Sequence, residues 1–271
     1  MRPLLLAALV VSSASSLAAQ SLWPRPLSGG TELDLEWVRP TFVNETGLTA
    51  TRGIWVLSGR HQLGPRGRVV VAIPFLRTGN STSPYGEAST MGDPYLGYES
   101  TDSTGRSTLV VGVRLPWAAT DASFPEQIAF VGDYDRFEES FPKTLTLHFE
   151  GQSEVWRDAE GADVRIRAGA TLLHSTSSST PSYDANTFLF DYGVRFGRQV
   201  GPVDLSLGLT GRMYLSGSGG NIAERTTHQG TVELSGRGRI APRIAFRFPI
   251  DEPLKSVLDR AITIGVRATI Q

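Results

Sequence analysis

The chain has no cysteine among its 271 residues, which excludes disulfide bonds, thiolate metal sites and a lipid anchor attached to cysteine. It also lacks an excess of either charge. There are 26 Lys and Arg against 27 Asp and Glu, so the basic surface typical of nucleic-acid-binding proteins is absent and no nucleic-acid partner is expected. No stretch beyond the N-terminus approaches the roughly 20 apolar residues of a membrane-spanning helix. With 40% hydrophobic residues, the bulk composition resembles that of an ordinary soluble protein.

The N-terminus has the features of an export signal in the usual order. Arg2 supplies a positive charge, residues 4–11 form an apolar run, and the small-residue stretch 12–19 ends in Ala18-Ala19. This order predicts a signal peptide over residues 1–19, cleaved after Ala18 or Ala19, and a mature domain over residues 20–271 outside the cytoplasm. The alternative is a buried N-terminal helix.

Apolar and polar residues alternate along most of the mature chain. In the last segment, Ile262, Ile264 and Val266 alternate with Thr263 and Gly265. Because successive side chains of a β-strand point to opposite faces, such segments predict strands of roughly ten residues. About twelve strands are expected, at residues 31–39, 54–63, 68–77, 93–100, 107–117, 143–156, 163–174, 186–199, 203–215, 228–238, 243–250 and 261–271.

The connections between these strands alternate between short and long. Short turns such as residues 64–67 and 201–202 alternate with long polar loops such as residues 118–142. Short periplasmic turns and long external loops are typical of bacterial outer-membrane barrels, and an even strand number leaves both termini in the periplasm. Within the last loop, the spacing of Leu254 and Leu258 after Pro253 predicts one or two helical turns.

The placement of aromatic residues favours a membrane barrel over a soluble sandwich. In a barrel the apolar face meets lipid and aromatic girdles mark both interfaces. Trp37, Trp55 and Trp117 are predicted near the outer rim, and Trp156 near the periplasmic rim. We therefore predict a closed antiparallel transmembrane β-barrel of about twelve strands in the bacterial outer membrane. A periplasmic or secreted β-sandwich is the alternative.

Closure of the barrel makes a specific pairing prediction. Every backbone polar group must be hydrogen-bonded in the hydrocarbon core of a membrane, so an open sheet edge is excluded there. The last strand is therefore expected to pair with the first, which brings Arg267 close to Glu32, Asp34 and Glu36.

Short motifs between Trp55 and Pro116 resemble a known family. A strand with a proline-bearing apolar run precedes Gly92-Asp93 and Leu96-Gly97, and the next strand closes in Leu115-Pro116. This order is similar to that of the outer-membrane transporter-like barrels often labelled phenol-degradation meta-pathway proteins. The family pattern differs in having Thr-Gly where this chain has Trp117-Ala118. The resemblance implies uptake of hydrophobic or aromatic small molecules.

The polar faces of the predicted strands carry charges of both signs, which would line the barrel interior. The predicted pore-lining residues are Glu32, Asp34, Glu36, Arg114, His148, Glu150, Arg165, Arg167, Asp191, Arg195, Asp204, Arg212, Glu233, Arg237, Arg247 and Arg267. Nearly all the positive charge is arginine, which suits planar pairing with carboxylates in a confined space. One interpretation is a salt-bridged lumen that is mostly shut. The other is a narrow polar pore that orients a solute and weakly favours anions.

Enzyme chemistry and metal binding have little support. His148 or His174, with the Ser/Thr-rich segment 175–182, is the nearest approach to the Ser/His pair of a lipid-modifying barrel. No His-Glu-x-x-His motif is present. The acidic segment 132–139 lacks EF-hand spacing, and a solvated loop is the preferred interpretation over a Ca²⁺ site. No catalytic residue, metal or cofactor is therefore predicted.

The function expected from these patterns is a passive channel or transporter for small solutes, with solutes that are hydrophobic or aromatic if the family resemblance holds. The expected partners are outer-membrane lipid, the barrel-assembly machinery and the solute, and the barrel is expected to be a monomer. Two alternatives stay open: a closed structural or adhesive barrel that acts through its surface loops, and an outer-membrane lipid-modifying enzyme. The sequence leaves open whether a loop plugs the lumen, with residues 118–142 the best candidate.

Overall fold

The computed structural model describes residues 23–24, 30–43, 51–78, 88–117, 132–140, 143–176, 186–216, 221–222 and 224–270. The signal peptide expected at residues 1–19 lies outside these ranges and stays a prediction. Among the described residues, no helix combines the length and apolar character needed to cross a membrane.

One sheet of thirteen strands accounts for most of the described chain. The strands are β1 (Thr31–Phe42), β2 (Thr51–Gln62), β3 (Gly67–Thr78), β4 (Ala88–Met91), β5 (Tyr95–Thr101), β6 (Ser107–Arg114), β7 (Thr144–Arg157), β8 (Ala162–Ser175), β9 (Asn186–Val200), β10 (Val203–Tyr214), β11 (Thr226–Gly236), β12 (Ile240–Pro249) and β13 (Leu258–Ile270). A 3-10 helix (Tyr134–Ser140) lies between β6 and β7, and helix α1 (Glu252–Lys255) precedes β13. The helical turn predicted after residue 251 is thus confirmed, although Leu258 already belongs to β13.

The sheet closes on itself as an antiparallel barrel. β1 pairs with β2 on one side and with β13 on the other, and β2 pairs with β3 to complete the ring. In the β1–β13 register, Asp34 lies directly opposite Arg267 and Glu36 opposite Gly265. The predicted pairing of the first and last strands is confirmed, and it removes the open edge that lipid would not tolerate.

Twelve strands form the wall and β4 is an additional short strand. β3 pairs with β5 along residues 67–72 and with β4 along residues 75–78. The break between β4 and β5 falls at Gly92-Asp93-Pro94, where Pro94 has no N–H to give to a ladder. The amide of Gly92 donates to the carbonyl of Pro74 at 3.0 Å and keeps the two pieces aligned. The strand predicted at residues 93–100 corresponds to β5, whereas β4 lies in the segment expected to be a loop between the third and fourth predicted strands.

The burial pattern is the reverse of that in a soluble protein. Along β1, Leu35 is 45% exposed on the outside, whereas its neighbours Asp34 and Glu36 are 2% and 0% exposed on the inside. The same holds around the barrel, where large apolar side chains such as Phe149 and Leu207 are exposed and charged ones are buried. An apolar exterior of this kind is stable in lipid and not in water, which rules out the β-sandwich alternative.

Part of the interior is apolar. Inward-facing residues of β1, β2, β3, β5 and β13 form one buried cluster, which consists of Val38, Ile54, Val56, Val70, Ala72, Leu76, Tyr95 and Ala261. Strand β2 therefore has apolar side chains on both faces, with Ile54 and Val56 inside and Trp55 and Leu57 outside. This explains why its sequence alternates less clearly than that of the other strands.

Of the four tryptophans expected at the membrane interfaces, Trp117 and Trp156 lie at strand ends, whereas Trp37 and Trp55 lie nearer the middle of β1 and β2. Trp37 and Trp55 are partners across β1 and β2, with ring centroids 6.5 Å apart. Trp117 follows β6 at the end of the barrel that carries the long loops, and Trp156 lies one residue before the end of β7, beside the short turns. Below, these two ends are termed the long-loop end and the short-turn end.

Candidate functional site

Part of the long connection between β6 and β7 is folded into the barrel. Residues 133–138, with the sequence Asp-Tyr-Asp-Arg-Phe-Glu, are all buried, and Asp133, Asp135 and Glu138 are 0%, 1% and 2% exposed. We term residues 133–138 the plug. Its 3-10 helix is kinked at Arg136, whose φ of −141° is not helical, and its side chains reach different parts of the wall.

The carboxylates of the plug pair with arginines from three strands of the wall. Arg247 of β12 lies 3.0 Å from the Asp133 carboxylate and 3.4 Å from that of Asp135. Glu138 lies 3.1 Å from Arg212 of β10 and 3.6 Å from Arg114 of β6. All three arginines are within two residues of the long-loop end of their strands, so the plug occupies the outer half of the lumen.

Arg136 is the one basic residue of the plug, and it pairs with carboxylates, one on the wall and one within the plug. Its guanidinium binds Glu36 of β1 and lies 2.6 Å from Asp133 within the plug. Glu36 also binds Arg243 of β12. Three carboxylates and one guanidinium on the plug therefore face three guanidinium groups and one carboxylate on the wall. This match matters because removing one partner of a buried ion pair lowers the stability of a protein by about 3–5 kcal/mol.

Two aromatic side chains of the plug fill apolar sites on the wall. Phe137 packs in a cluster with Leu173 of β8 and Leu189 of β9, beside Tyr214. The guanidinium carbon of Arg212 lies 4.2 Å from the centroid of the Phe137 ring, within the range of a cation–π interaction.

Tyr134 fills the second apolar site, in a cluster with Phe42, Leu254 and Leu258. Its hydroxyl lies 2.7 Å from both the carbonyl oxygen and the side-chain oxygen of Thr227. Leu254 of helix α1 is buried in this cluster, so the helix packs against Tyr134 of the plug.

The half of the lumen nearer the short turns is filled by a second set of ion pairs. Arg60 bridges Glu32 at 3.1 Å and Glu99 at 3.2 Å. On the other side, Arg165 and Arg195 share Asp163, at 2.8 and 3.0 Å. A cavity of about 220 Å³ at this end includes Asp163, Arg165 and Arg195 in its lining.

Trp23, from the segment before β1, is also inside the barrel. Its side chain is buried, with 2% exposure, and lies against the inward face of β10. A Cβ atom at Gly208 would come within 3.0 Å of the Trp23 ring. Gly208 is the sixth of the twelve residues of β10, so the Trp23 indole lies near the middle of the lumen.

The structure buries most of the residues predicted to line the pore. Those that are buried are Glu32, Asp34, Glu36, Arg114, His148, Arg165, Arg167, Asp191, Arg195, Arg212, Glu233 and Arg247. Glu150, Asp204 and Arg267 are half-buried, and Arg237 is exposed just beyond the end of β11. That a solute passes along these side chains stays a prediction.

Several residues of the charged interior were not anticipated from the sequence. Arg243 could have been found, because it lies four residues before Arg247 on the same face of β12. Arg60 was hidden by the poor alternation of β2. The plug has no periodicity that distinguishes it from a surface loop.

The acidic segment 132–139 was interpreted as a solvated loop, and the described part of it is not solvated. Its carboxylates are buried because wall arginines neutralise them, which also removes the basis for a cation site. Within the described ranges, no group of three or more His, Asp or Glu side chains is arranged to hold a metal ion.

The two histidines considered for a Ser/His pair, His148 and His174, have different surroundings. His148 faces the lumen, where its ring meets the edge of Tyr95 and its Nδ1 lies 3.1 Å from the Thr171 hydroxyl. That hydroxyl donates to Asp191 at 2.6 Å. His174 is exposed at the long-loop end of β8, with its Nδ1 2.8 Å from Asn186 Oδ1.

The sequence matches no known family model and no curated protein. By structure, the chain is similar to an outer-membrane channel from Pseudomonas putida F1, with 12% identity, a TM-score of 0.62, and coverage of 92% of this chain and 98% of that one. It is also similar to the translocator domain of the autotransporter NalP from Neisseria meningitidis, with 10% identity, a TM-score of 0.56, and coverage of 98% and 95%. The NanC porin matches with 9% identity, a TM-score of 0.50, and coverage of 88% and 100%. The chain therefore has the closed antiparallel β-barrel fold of bacterial outer-membrane proteins.

Proposed function

We propose that this protein is a passive outer-membrane channel for small solutes, and that it opens when the plug leaves its place in the outer half of the lumen. The observation that carries the proposal is the composition of the interior. The plug is held to the wall mainly by ion pairs, and water and charged solutes can replace ion pairs more readily than they replace a continuous apolar core.

Displacement of the plug would leave a charged passage. Arg114, Arg212 and Arg247 would then face the outer opening, and a ring of like charge at the mouth of a narrow pore selects ions of the opposite sign. The lower ion pairs of Arg60, Arg165 and Arg195 would continue the charged lining towards the short-turn end. A small anionic or polar solute fits such a passage better than a bulky neutral one.

The proposal extends to location, assembly and family. The exposed apolar belt supports insertion in the outer membrane through the barrel-assembly machinery, and a monomer is sufficient because the sheet closes within one chain. The motif resemblance between residues 55 and 116 supports placement among the phenol-degradation meta-pathway barrels.

Conductance in a planar lipid bilayer tests the channel. The variant Asp133→Asn with Glu138→Gln removes two of the charges that hold the plug, and we expect it to raise the mean current of the refolded barrel at least fivefold. The matched control is Glu160→Gln, in an exposed short turn where Glu160 pairs only with exposed Arg198 among the described contacts. Its current should equal that of the unaltered protein. No current from any of these proteins, together with no solute uptake into liposomes, would defeat the proposal.

A closed structural or adhesive barrel is the second candidate, and the dense packing of the lumen favours it. On that hypothesis the ion pairs serve only to rigidify the wall, and the neutralised variant would lose stability without gaining current. His148 faces the lumen and not lipid, so it does not supply the lipid-facing Ser/His pair of the lipid-modifying alternative.

A further inference from the structure

We propose that the plug occupies a binding site for the transported solute, and that the site takes small aromatic carboxylates. The inference rests on the proposed channel function and names its solute class. Phe137 and Glu138 of the plug would then be internal stand-ins for the ring and the carboxylate of the solute.

The main observation is that one wall arginine contacts a ring and a carboxylate together. Arg212 lies over the ring of Phe137 at 4.2 Å and pairs with Glu138 at 3.1 Å. A benzoate-like molecule presents the same two groups within a few ångströms of each other. Guanidinium is suited to both, because its plane stacks on aromatic faces while its edge donates two parallel hydrogen bonds to a carboxylate.

The wall supplies the rest of the site without help from the plug. Leu173 and Leu189 form the apolar surface against which the Phe137 ring packs. Asp191 accepts a hydrogen bond from Nε of Arg212 at 2.6 Å and fixes the orientation of the guanidinium. Arg114, on the adjoining side, lies 3.6 Å from Glu138. A site whose supporting groups are already in place binds with less loss of conformational entropy.

The charge of the site favours a monoanion over a neutral ring or a dianion. Without the plug, Arg114 and Arg212 lose the Glu138 carboxylate that both of them approach. The carboxylate of a solute would take its place. A neutral aromatic molecule would leave a guanidinium without its carboxylate, and an aliphatic acid would leave the leucine surface exposed to water.

Filling a deliberately made cavity tests this inference. The variant Phe137→Ala with Glu138→Ala keeps the rest of the plug but removes the ring and the carboxylate, leaving space shaped for benzoate. Cavities of this kind bind small molecules that match their lining. In the refolded full-length barrel, benzoate should raise the temperature at which gel migration shifts from the folded to the unfolded position, because a ligand that binds only the folded state stabilises it.

The probes that separate the components of recognition are benzamide, which has the ring without the charge, and acetate, which has the charge without the ring. Both should bind the variant at least tenfold more weakly than benzoate in ligand-observed NMR. The unaltered protein should bind benzoate at least tenfold more weakly than the variant, because Phe137 and Glu138 compete. Equal binding of benzoate and acetate, equal binding of benzoate and benzamide, or equal binding to the two proteins would each overturn the inference.

A second variant assigns the contact to Arg212. Adding Arg212→Gln to the cavity variant should weaken benzoate binding at least tenfold, whereas Arg198→Gln, at the exposed short-turn end of β9, should leave it unchanged. If the Arg212 variant does not refold, Arg114→Gln replaces it with the same expectation. Benzoate binding without any bilayer current would refute the channel and not the site, and current without a preference for benzoate would refute the site and not the channel.

Discussion

At the scale of single residues, the donor geometry of arginine explains how so many charges fit inside a narrow barrel. Arg212 binds Asp191 through Nε at 2.6 Å, Glu138 through Nη2 at 3.1 Å, and the Tyr134 carbonyl through Nη1 at 3.3 Å. A lysine ammonium has three donors on one atom and cannot reach three separate partners in this way. The sequence has only two lysines, Lys143 and Lys255, and neither lies within a wall strand.

Replacing Arg212 by lysine is therefore expected to be costly although the charge is kept. Arg212→Lys should lower the free energy of unfolding by about 1.5–3 kcal/mol, the value of a hydrogen bond to a charged group. Urea titration of the detergent-refolded barrel, followed by tryptophan fluorescence, measures the change. Arg198→Lys is the matched control, since Arg198 pairs with Glu160 at an exposed turn and such pairs contribute little. Similar losses in the two variants would contradict the assignment.

Trp23 is expected to obstruct the lumen independently of the plug. In the background of Asp133→Asn with Glu138→Gln, adding Trp23→Ala should raise the single-channel conductance about twofold, because the indole beside Gly208 narrows the path that the plug leaves open. Trp156→Ala is the control, since Trp156 is 50% exposed at the short-turn end. Unchanged conductance after removal of Trp23 would show that the solute path does not pass this ring.

At the scale of elements, the strands could be predicted and the inward fold of the loop could not. Alternation locates each wall strand because lipid on one face and a polar interior on the other act on every second residue. The plug is positioned instead by partners far away in sequence. Arg136 meets Glu36 across 100 residues, and Arg247 meets Asp133 across 114. No local pattern contains that information.

The start of β5 at Tyr95, two residues later than predicted, has a local cause that the sequence does contain. Pro94 was visible between Met91 and Tyr95, and a proline within a run indicates an interrupted or edge strand. The sequence did not indicate that residues 88–91, just before the break, form β4 and pair with β3.

The close packing of β5 on β6 leads to a prediction about glycine. The Tyr95 ring covers Gly97 and Gly112, and a Cβ atom on Gly112 would overlap the ring. Gly112→Ala should lower the free energy of unfolding by about 1–3 kcal/mol, the usual cost of overpacking. Gly151→Ala in β7 is the matched control, because its nearest neighbour beyond the adjoining residues would be the Thr108 carbonyl oxygen at 3.8 Å. Denaturant titration of both variants gives the comparison, and equal stability would contradict the packing.

At the scale of the whole molecule, closure between the first and last strands sets the shape of the interior. The β1–β13 pairing joins residues from 216 to 239 positions apart and brings the acidic row of β1 within reach of β12, where Arg243 lies 3.0 Å from Asp34. A closed ring also leaves the chain without an unpaired strand edge at the seam.

Because the chain has no native cysteine, the pairing of β1 with β13 can be tested with one engineered pair of cysteines. Leu35 and Val266 lie directly opposite each other on the outer surface, so Leu35→Cys with Val266→Cys should form a disulfide on mild oxidation. Mass spectrometry after thiol labelling should find both thiols protected. Leu35→Cys with Leu207→Cys, on β1 and β10, should keep both thiols free. Equal labelling of the two variants would contradict the register.

Alternation along the chain is enough to predict a membrane barrel, because lipid contacts one face of each strand and the polar interior contacts the other. The polar faces also predict an interior rich in arginine and carboxylate. The folded barrel is needed to show which charges meet, that a loop segment and a tryptophan occupy the lumen, and that one arginine binds a ring and a carboxylate together. Those contacts depend on ring closure and on long-range pairing, which bring together residues that are far apart along the chain.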